Sequence, residues 1–334
     1  MEKYRWDSCG MVGTKVKKFD LITVGESMVL LTAKQQGYLR YVNSFEKSFA
    51  GAETNVAIGV SKMGYRTGWI SKVGNDEFGK SLIGFLRGEN VDVEHVAGDE
   101  YSKTGLMFKE YLRHDKTRIN YYRKDSAASK LNVSDINIDY IKSSRFLFVS
   151  GITPLLSQSC YEAVMYALDI AKENDVTIVF DPNIRLNLWN GDESQEKILE
   201  IIKKSDIVLP GLIEADMLFN NSDLAFLGNL MLDMGPDLVV IKLGENGAHY
   251  FTKEENKHVP SFPLDKIIDP VGAGDAFVAG LISALLSGSS IYEAVTHGNA
   301  CGAIVTQVIG DTEGFPDKSE LVVFLNSLDE DVIR

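Results

Sequence analysis

From Phe19 onward the apolar positions alternate between two periods. The runs FLFVSG (146–151), TIVFDP (177–182), DIVLPG (206–211) and LVVIKLG (238–244) are short and rich in Val, Ile, Leu and Phe, with amphipathic stretches between them. Such runs predict buried strands, and their alternation with helices predicts a parallel sheet covered on both faces. Upstream, a strand is expected over Leu21–Val24, ending at Gly25. A helix follows over Glu53–Met63, with Val56, Val60 and Met63 apolar and a stop at Gly64. A strand over Thr67–Val73 and a helix over Lys80–Glu89 come next. The stretches Met28–Ala33 and Tyr38–Phe49 alternate in polarity, and GLMFKEYL and RINYYR flank a polar RHDKT in a hairpin pattern. No repeat and no Pro- or Ser-rich linker interrupts the chain. The expectation is one α/β domain over 19–330, a small antiparallel sheet from residues 28–50 and 100–126 beside it, and a frayed tail over 1–18.

Charge narrows the partners. The chain has 334 residues, with Lys plus Arg 34 and Asp plus Glu 47, a formal net charge of −13. An acidic chain repels phosphate backbones, so no nucleic-acid partner is expected, although a local positive site can still hold a small anion. Cys9, Cys160 and Cys301 are scattered and odd in number, which gives neither a disulfide framework nor zinc spacing and suits a reducing cytoplasm. No apolar run approaches the ~20 residues of a membrane helix, so no membrane partner is expected. The first twenty residues lack a secretory apolar stretch. The sequons at Asn132 and Asn220 then read as coincidence. His95, His114, His249, His258 and His297 show no ligand spacing.

In open parallel sheets ligands collect at the carboxyl ends of the strands, where Asp181, Gly211, Gly244 and the loop at Gly272 fall. GNDEFGKS (74–81) fits a phosphate-loop pattern. Asp76 and Glu77, however, put two carboxylates where a triphosphate would lie, which favours an acidic helix cap. DPVGAGDAFVAG (269–280) runs into an apolar helix. Gly272, Ala273 and Gly274 let successive N–H groups converge at a helix N-terminus, an anion site, with Asp275 in the first turn. A carboxylate beside an anion hole suits phosphoryl transfer, where it accepts the proton of an attacking hydroxyl. A plain turn with a favourable first-turn acid fits equally well. KLGENGAHYF (242–251) reads as a tight turn between strands, and Arg185 in NIRLNLW (183–189) as a two-pronged carboxylate partner or a surface residue. YYRK (121–124) lines a pocket or covers a sheet face.

Together these stretches resemble the ribokinase-like (PfkB) family of sugar kinases. GAETNVAIGVSKMGYRTGWISKVGNDEFG (51–79) is similar to its N-terminal signature and DPVGAGDAFVAGLISALL (269–286) to its C-terminal one, within a likeness running from Phe19 to Asn326. The apparent phosphate loop becomes the tail of the first signature. TGL (104–106), YYRKDSAAS (121–129) and DPNIRLNLW (181–189) resemble the 2-keto-3-deoxygluconate kinases of that family. The resemblance implies a Rossmann-like three-layer sandwich with a β-sheet lid, and ATP with Mg²⁺ as cosubstrate and metal; K⁺ is a further candidate. It implies Asp275 as base with Gly272, Ala273 and Gly274 as the anion hole. Gly51, Asn55, Tyr121, Arg123 and Arg185 would contact the sugar acid, and Lys242, Gly244, Asn246, Gly247 and Asn299 would border the nucleotide. Glu214 would arrange Mg²⁺ through water. Fructose, 2-keto-3-deoxygalactonate and 5-dehydro-2-deoxygluconate are alternative substrates, and a non-catalytic sugar- or nucleotide-binding regulator is a more distant reading. Three positions depart from the pattern: Gly211 replaces an asparagine common before the glutamate, Met107 a tyrosine, and Pro270-Val271 the usual small or hydroxyl residues. An exposed-edged lid implies a homo-oligomer, at least a dimer.

Overall fold

The computed structural model describes residues 17–112 and 117–330, with side chains to 326. The terminal tail, Cys9 and His114 lie outside the described residues. The strands, in chain order, are β1 (Phe19–Val24), β2 (Met28–Ala33), β3 (Phe45–Ala50), β4 (Thr67–Gly74), β5 (Val91–Asp92), β6 (Val96–Asp99) and β7 (Leu106–Tyr111). They continue as β8 (Thr117–Tyr122), β9 (Ser144–Ser150), β10 (Thr177–Asp181), β11 (Ile207–Val208), β12 (Leu238–Lys242), β13 (Ala248–Phe251) and β14 (Asn256–Val259). The helices are α1 (Ala52–Lys62), α2 (Glu77–Gly88), α3 (Ile138–Lys142), α4 (Gln158–Glu173), α5 (Asp192–Lys204), α6 (Leu212–Phe219), α7 (Leu224–Asp233), α8 (Ala273–Leu286), α9 (Ile291–Val305) and α10 (Lys318–Glu330).

The main sheet runs β14-β13-β12-β11-β10-β9-β1-β4-β5, with β6 beside β4. It is parallel from β12 to β5, and β13 and β14 add an antiparallel edge. Both faces are buried, so successive residues of one strand feed two cores. Ile22, Leu147, Ile178 and Phe180 pack with Val164 and Ile198 on one side. Leu21, Phe146, Phe148 and Val179 pack with Val56, Phe277 and Leu281 on the other. The predicted three layers are therefore present. α1 starts and ends one residue before its expected bounds, and Gly64 follows it at φ +90°.

The second sheet has the order β3-β2-β7-β8. Its outer pairs are antiparallel as expected, but its central pair, β2 with β7, is parallel. The strand expected over Tyr38–Phe49 is shorter: Leu39–Tyr41 forms a single helical turn, and pairing begins at Phe45. The order of the main sheet reverses at β1, between β9 and β4. That switch leaves a crevice at the strands' carboxyl ends, and the small sheet stands beside it.

Candidate active site

The crevice is a cavity of about 390 Å³. Its floor is the N-terminus of α8. Gly272 caps that helix at φ +82°, and a Cβ there would lie 2.4 Å from the Asp311 carbonyl oxygen. Only glycine meets both demands without strain. Asp275 lies in the first turn, and its Oδ2 accepts a hydrogen bond from Asn55 Nδ2 at 2.8 Å. The two residues meet because α1 and α8 cross closely: a Cβ on Gly59 would lie 2.6 Å from that of Ala279. Gly59 is one turn beyond Asn55, and Ala279 one turn beyond Asp275. Burial pushes the Asp275 carboxyl up to about 6, while the Asn55 hydrogen bond and nearby Arg185 hold it down. A carboxyl in that range is able to exchange a proton near neutral pH.

A second group of charges lines the wall. Lys242, at the end of β12, donates to Asp181 Oδ2 at 2.5 Å. Burial alone would lower the ammonium, but Asp181 and Glu214 hold it above its ordinary value. A Cβ on Gly274 would lie 3.8 Å from its Nζ, so the amine stands beside the Gly272–Gly274 turn. Glu214, in the first turn of α6, accepts Gly211 N–H at 2.6 Å and Ile184 N–H at 2.8 Å. Burial, with Asp181 adding, raises its carboxyl. The backbone bond from Gly211 closes the start of α6, so no side chain is needed there from the residue that departs from the family pattern.

Arg185 is exposed on the cavity rim and makes no ion pair with any described residue. Arg123 differs. It is buried, pairs with the fully buried Glu26, and lies over the Tyr121 ring with 5.4 Å to the centroid. Glu26 also accepts Ser126 Oγ at 2.7 Å. The positive charge of Arg123 is thus already met within the protein.

Of the residues singled out from sequence, the cavity gathers Gly51, Asn55, Tyr121, Arg123, Arg185, Glu214, Lys242, Gly272, Gly274 and Asp275. Ala273 is the first residue of α8 between its two lining glycines. Gly244, Asn246 and Gly247 form a turn just beyond β12, outside the cavity lining. Asn299 is buried in α9, and its amide donates to Val259 O at 3.1 Å and Pro260 O at 3.0 Å. Its visible work is to tether the segment after β14. The lining also includes Asp181, expected at a ligand-collecting strand end, Met107, and Glu26, Asn183 and Asp311, to which the sequence assigned no role.

The GNDEFGKS stretch is a helix cap. Asp76 Oδ1 accepts Gly79 N–H at 2.9 Å, and Lys80 pairs with Glu77 on the exposed side of α2, away from the cavity.

Fold and pocket define an α/β protein with a deep, two-signed polar crevice at its topological switch point, the architecture of a small-molecule transferase. Comparison with known proteins narrows this. Residues 18–318 match the pfkB family carbohydrate kinase. The chain is 36% identical over 312 residues to 2-dehydro-3-deoxygluconokinase of Bacillus subtilis, covering 93% of this chain and 96% of that one. It is 32% identical over 315 residues to probable fructokinase-2 of Arabidopsis thaliana, covering 91% and 95%. Among solved structures, a PfkB protein from Polaromonas sp. JS666 superposes with TM-score 0.84 at 37% identity, covering 91% of this chain and 99% of that one. A putative ribokinase II from E. coli in complex with ATP and Mg²⁺ superposes with TM-score 0.86 at 28% identity, covering 92% and 99%. The chain belongs to the pfkB family of carbohydrate kinases and is an ATP-dependent phosphotransferase.

Proposed function

We propose that this kinase transfers the γ-phosphoryl group of ATP to the 6-hydroxyl of 2-keto-3-deoxygluconate, forming the 6-phosphate and ADP. One observation carries the choice of a sugar acid: Arg185 stands unpaired on the rim of the cavity that holds Asp275. A cation in no ion pair with a described residue suits an anionic substrate better than a neutral sugar. The relative of Bacillus subtilis bears that substrate's name.

In this reading Asp275, aimed by Asn55, takes the proton from the attacking hydroxyl. The hydroxyl oxygen bonds to the γ-phosphorus as the bond to the bridging oxygen of ADP breaks. The amides of 272–274 stabilise charge on the transferring group. Gly51 and Tyr121 border the sugar, with Arg123 held by Glu26 as a fixed donor wall. The nucleotide extends from Lys242 toward the turn at Gly244–Gly247, and Asn299 steadies its border. Glu214 and Asp181 fit a Mg²⁺ carried on the phosphates: each backbone-bonded oxygen of Glu214 keeps a lone pair for a metal-bound water. That ion would supply charge neutralisation at the β- and γ-phosphates. The small sheet acts as the lid over the 19–330 domain and excludes water, which would otherwise compete as acceptor. Its edge strands β3 and β8 suit pairing or burial in a homodimer, measurable by light scattering. No described helix is long and apolar enough to cross a membrane, and a cytoplasmic setting completes the reading.

The test is ADP release with Mg-ATP on ketodeoxygluconate, ketodeoxygalactonate, 5-dehydro-2-deoxygluconate, fructose and ribose, with a no-sugar blank. Turnover confined to the ketodeoxy acids supports the assignment. Preference for fructose or ribose overturns it and leaves the kinase. The same assay with K⁺ replaced by tetramethylammonium tests for a monovalent cation.

A further inference from the structure

A buried lysine joins the small sheet to the loop that leads into α8. Lys109 belongs to β7 of the small sheet, and its side chain is 2% exposed. Its Nζ donates to Asp269 Oδ2 at 2.5 Å, across 160 residues of sequence. Asp269 opens the loop that leads to Gly272, and its Oδ1 accepts Val271 N–H at 3.2 Å. A second buried acid, Asp311, is packed against the same loop, with its carbonyl where a Gly272 Cβ would be. Asp311 Oδ1 has no hydrogen-bond partner among the described residues. Burial pushes its carboxyl up to about 7, Lys109 draws it down, and Asp275, Glu313 and Asp269 add to the rise. Lys109 is the one cation found in an ion pair with either Asp269 or Asp311 among the described residues.

We propose that Lys109 is a positioning residue for phosphoryl transfer: the lid brings its own ammonium to the base of the anion hole, where it offsets Asp269 and Asp311 and, through Asp269, aims the 272–274 amides. The physical ground is the sign of the field. An uncompensated Asp269 carboxylate behind the turn, with the acid Asp311 beside it, would oppose the arrival of a phosphoryl group, and most strongly in a low-dielectric interior. A buried ion pair is a weak source of net stability compared with apolar packing of similar shape. Its value here is placement, since it links a lid strand to the loop before α8. Seating of the lid and alignment of the anion hole then become one event.

The inference rests on the reading of Asp275 and residues 272–274 as the reaction centre. Three variants are compared at saturating Mg-ATP and sugar: Lys109→Met, the neutral pair Lys109→Met/Asp269→Asn, and Asp275→Asn as a control. Lys109→Met is expected to lose kcat by on the order of 10- to 100-fold, with a smaller change in sugar KM. The neutral pair is expected to regain thermal stability lost by Lys109→Met and to keep the low kcat. A purely structural ion pair would instead let kcat recover with stability. Should Lys109→Met fail to fold, the neutral pair carries the test. A folded neutral pair with kcat within about two-fold of wild type overturns the proposal. Turnover retained by Asp275→Asn overturns the reaction-centre reading itself, whereas loss in Asp275→Asn with retention in the neutral pair overturns the role of Lys109 alone.

Discussion

Replacing Arg185 by leucine separates a sugar-acid kinase from a neutral-sugar kinase. The guanidinium is exposed at the rim and has no ion-pair partner among the described residues, so its removal breaks no ion pair within the protein. Two unit charges about 4 Å apart attract by about 4 kcal/mol at an effective dielectric of 20. Water at the rim lowers this toward the roughly 1.5–3 kcal/mol of a hydrogen bond to a charged group. At about 1.4 kcal/mol per tenfold, kcat/KM for ketodeoxygluconate falls roughly 10- to 150-fold. A neutral sugar such as fructose should lose little. The assay is coupled ADP release for both substrates with wild type and variant. A second readout comes from pH. Burial is the main cause that lifts Asp275 to about 6, and Arg185 is among the groups that oppose the rise. Without that cation the carboxylate is less favoured, so the acid limb of kcat/KM moves to higher pH. Equal losses for both substrates, or no loss for the ketodeoxy acid, would refute the carboxylate assignment.

Asp275→Asn should cost on the order of 10²–10⁴ in turnover while the protein remains folded, read from kcat and a thermal melt. Wild-type kcat/KM should fall as pH drops through about 6, where Asp275 takes up its proton. Gly272→Ala should both lower kcat and destabilise, since it forces a side chain at φ +82° against the Asp311 carbonyl; strain of order 1–3 kcal/mol is expected in denaturant melts. Glu53 is 1% exposed, and its Oε1 accepts from Ser150 Oγ and Thr153 Oγ1, with no ion pair to any described residue. Burial pushes its carboxyl from 4.5 to about 7. The folded state therefore holds the proton more tightly than the unfolded one, and its stabilisation is full below pH 4.5 and lost as pH rises through about 7. Glu53→Gln should flatten that decline, worth at most roughly 3 kcal/mol, in melts from pH 5 to 8.

What the sequence makes legible is local. Gly272 to Asp275 announces its helix start because a left-handed cap and a first-turn acid are adjacent residues. The parallel strands announce themselves because burial on both faces leaves unbroken Val, Ile and Phe runs. Pairings are another matter. Asn55 meets Asp275 across 220 residues, and nothing in either helix names the partner. The partnership of Arg123 with Glu26 is equally silent, and it changes the chemistry: an arginine expected to face the sugar carboxylate already has its countercharge, which leaves Arg185 as the unpaired one. The centre of the small sheet is silent in the same way, since nothing in the two strand sequences says that β2 and β7 pair in parallel.

Lys109 marks the boundary between the two kinds of information. It follows Met107 by two residues on one strand, and Met107 faces the cavity. Period-two alternation therefore places Lys109 on the same inward side. A lysine at an inward strand position is a local anomaly, because burial of an unpaired ammonium is prohibitive. That anomaly demands a carboxylate somewhere in the fold without saying which. Only the packing of the lid against the loop before α8 selects Asp269. The placement of Met107 in the cavity is itself structural, so the counterion of Lys109 becomes visible only in three dimensions, where the ion pair stands beside the loop that leads to Gly272.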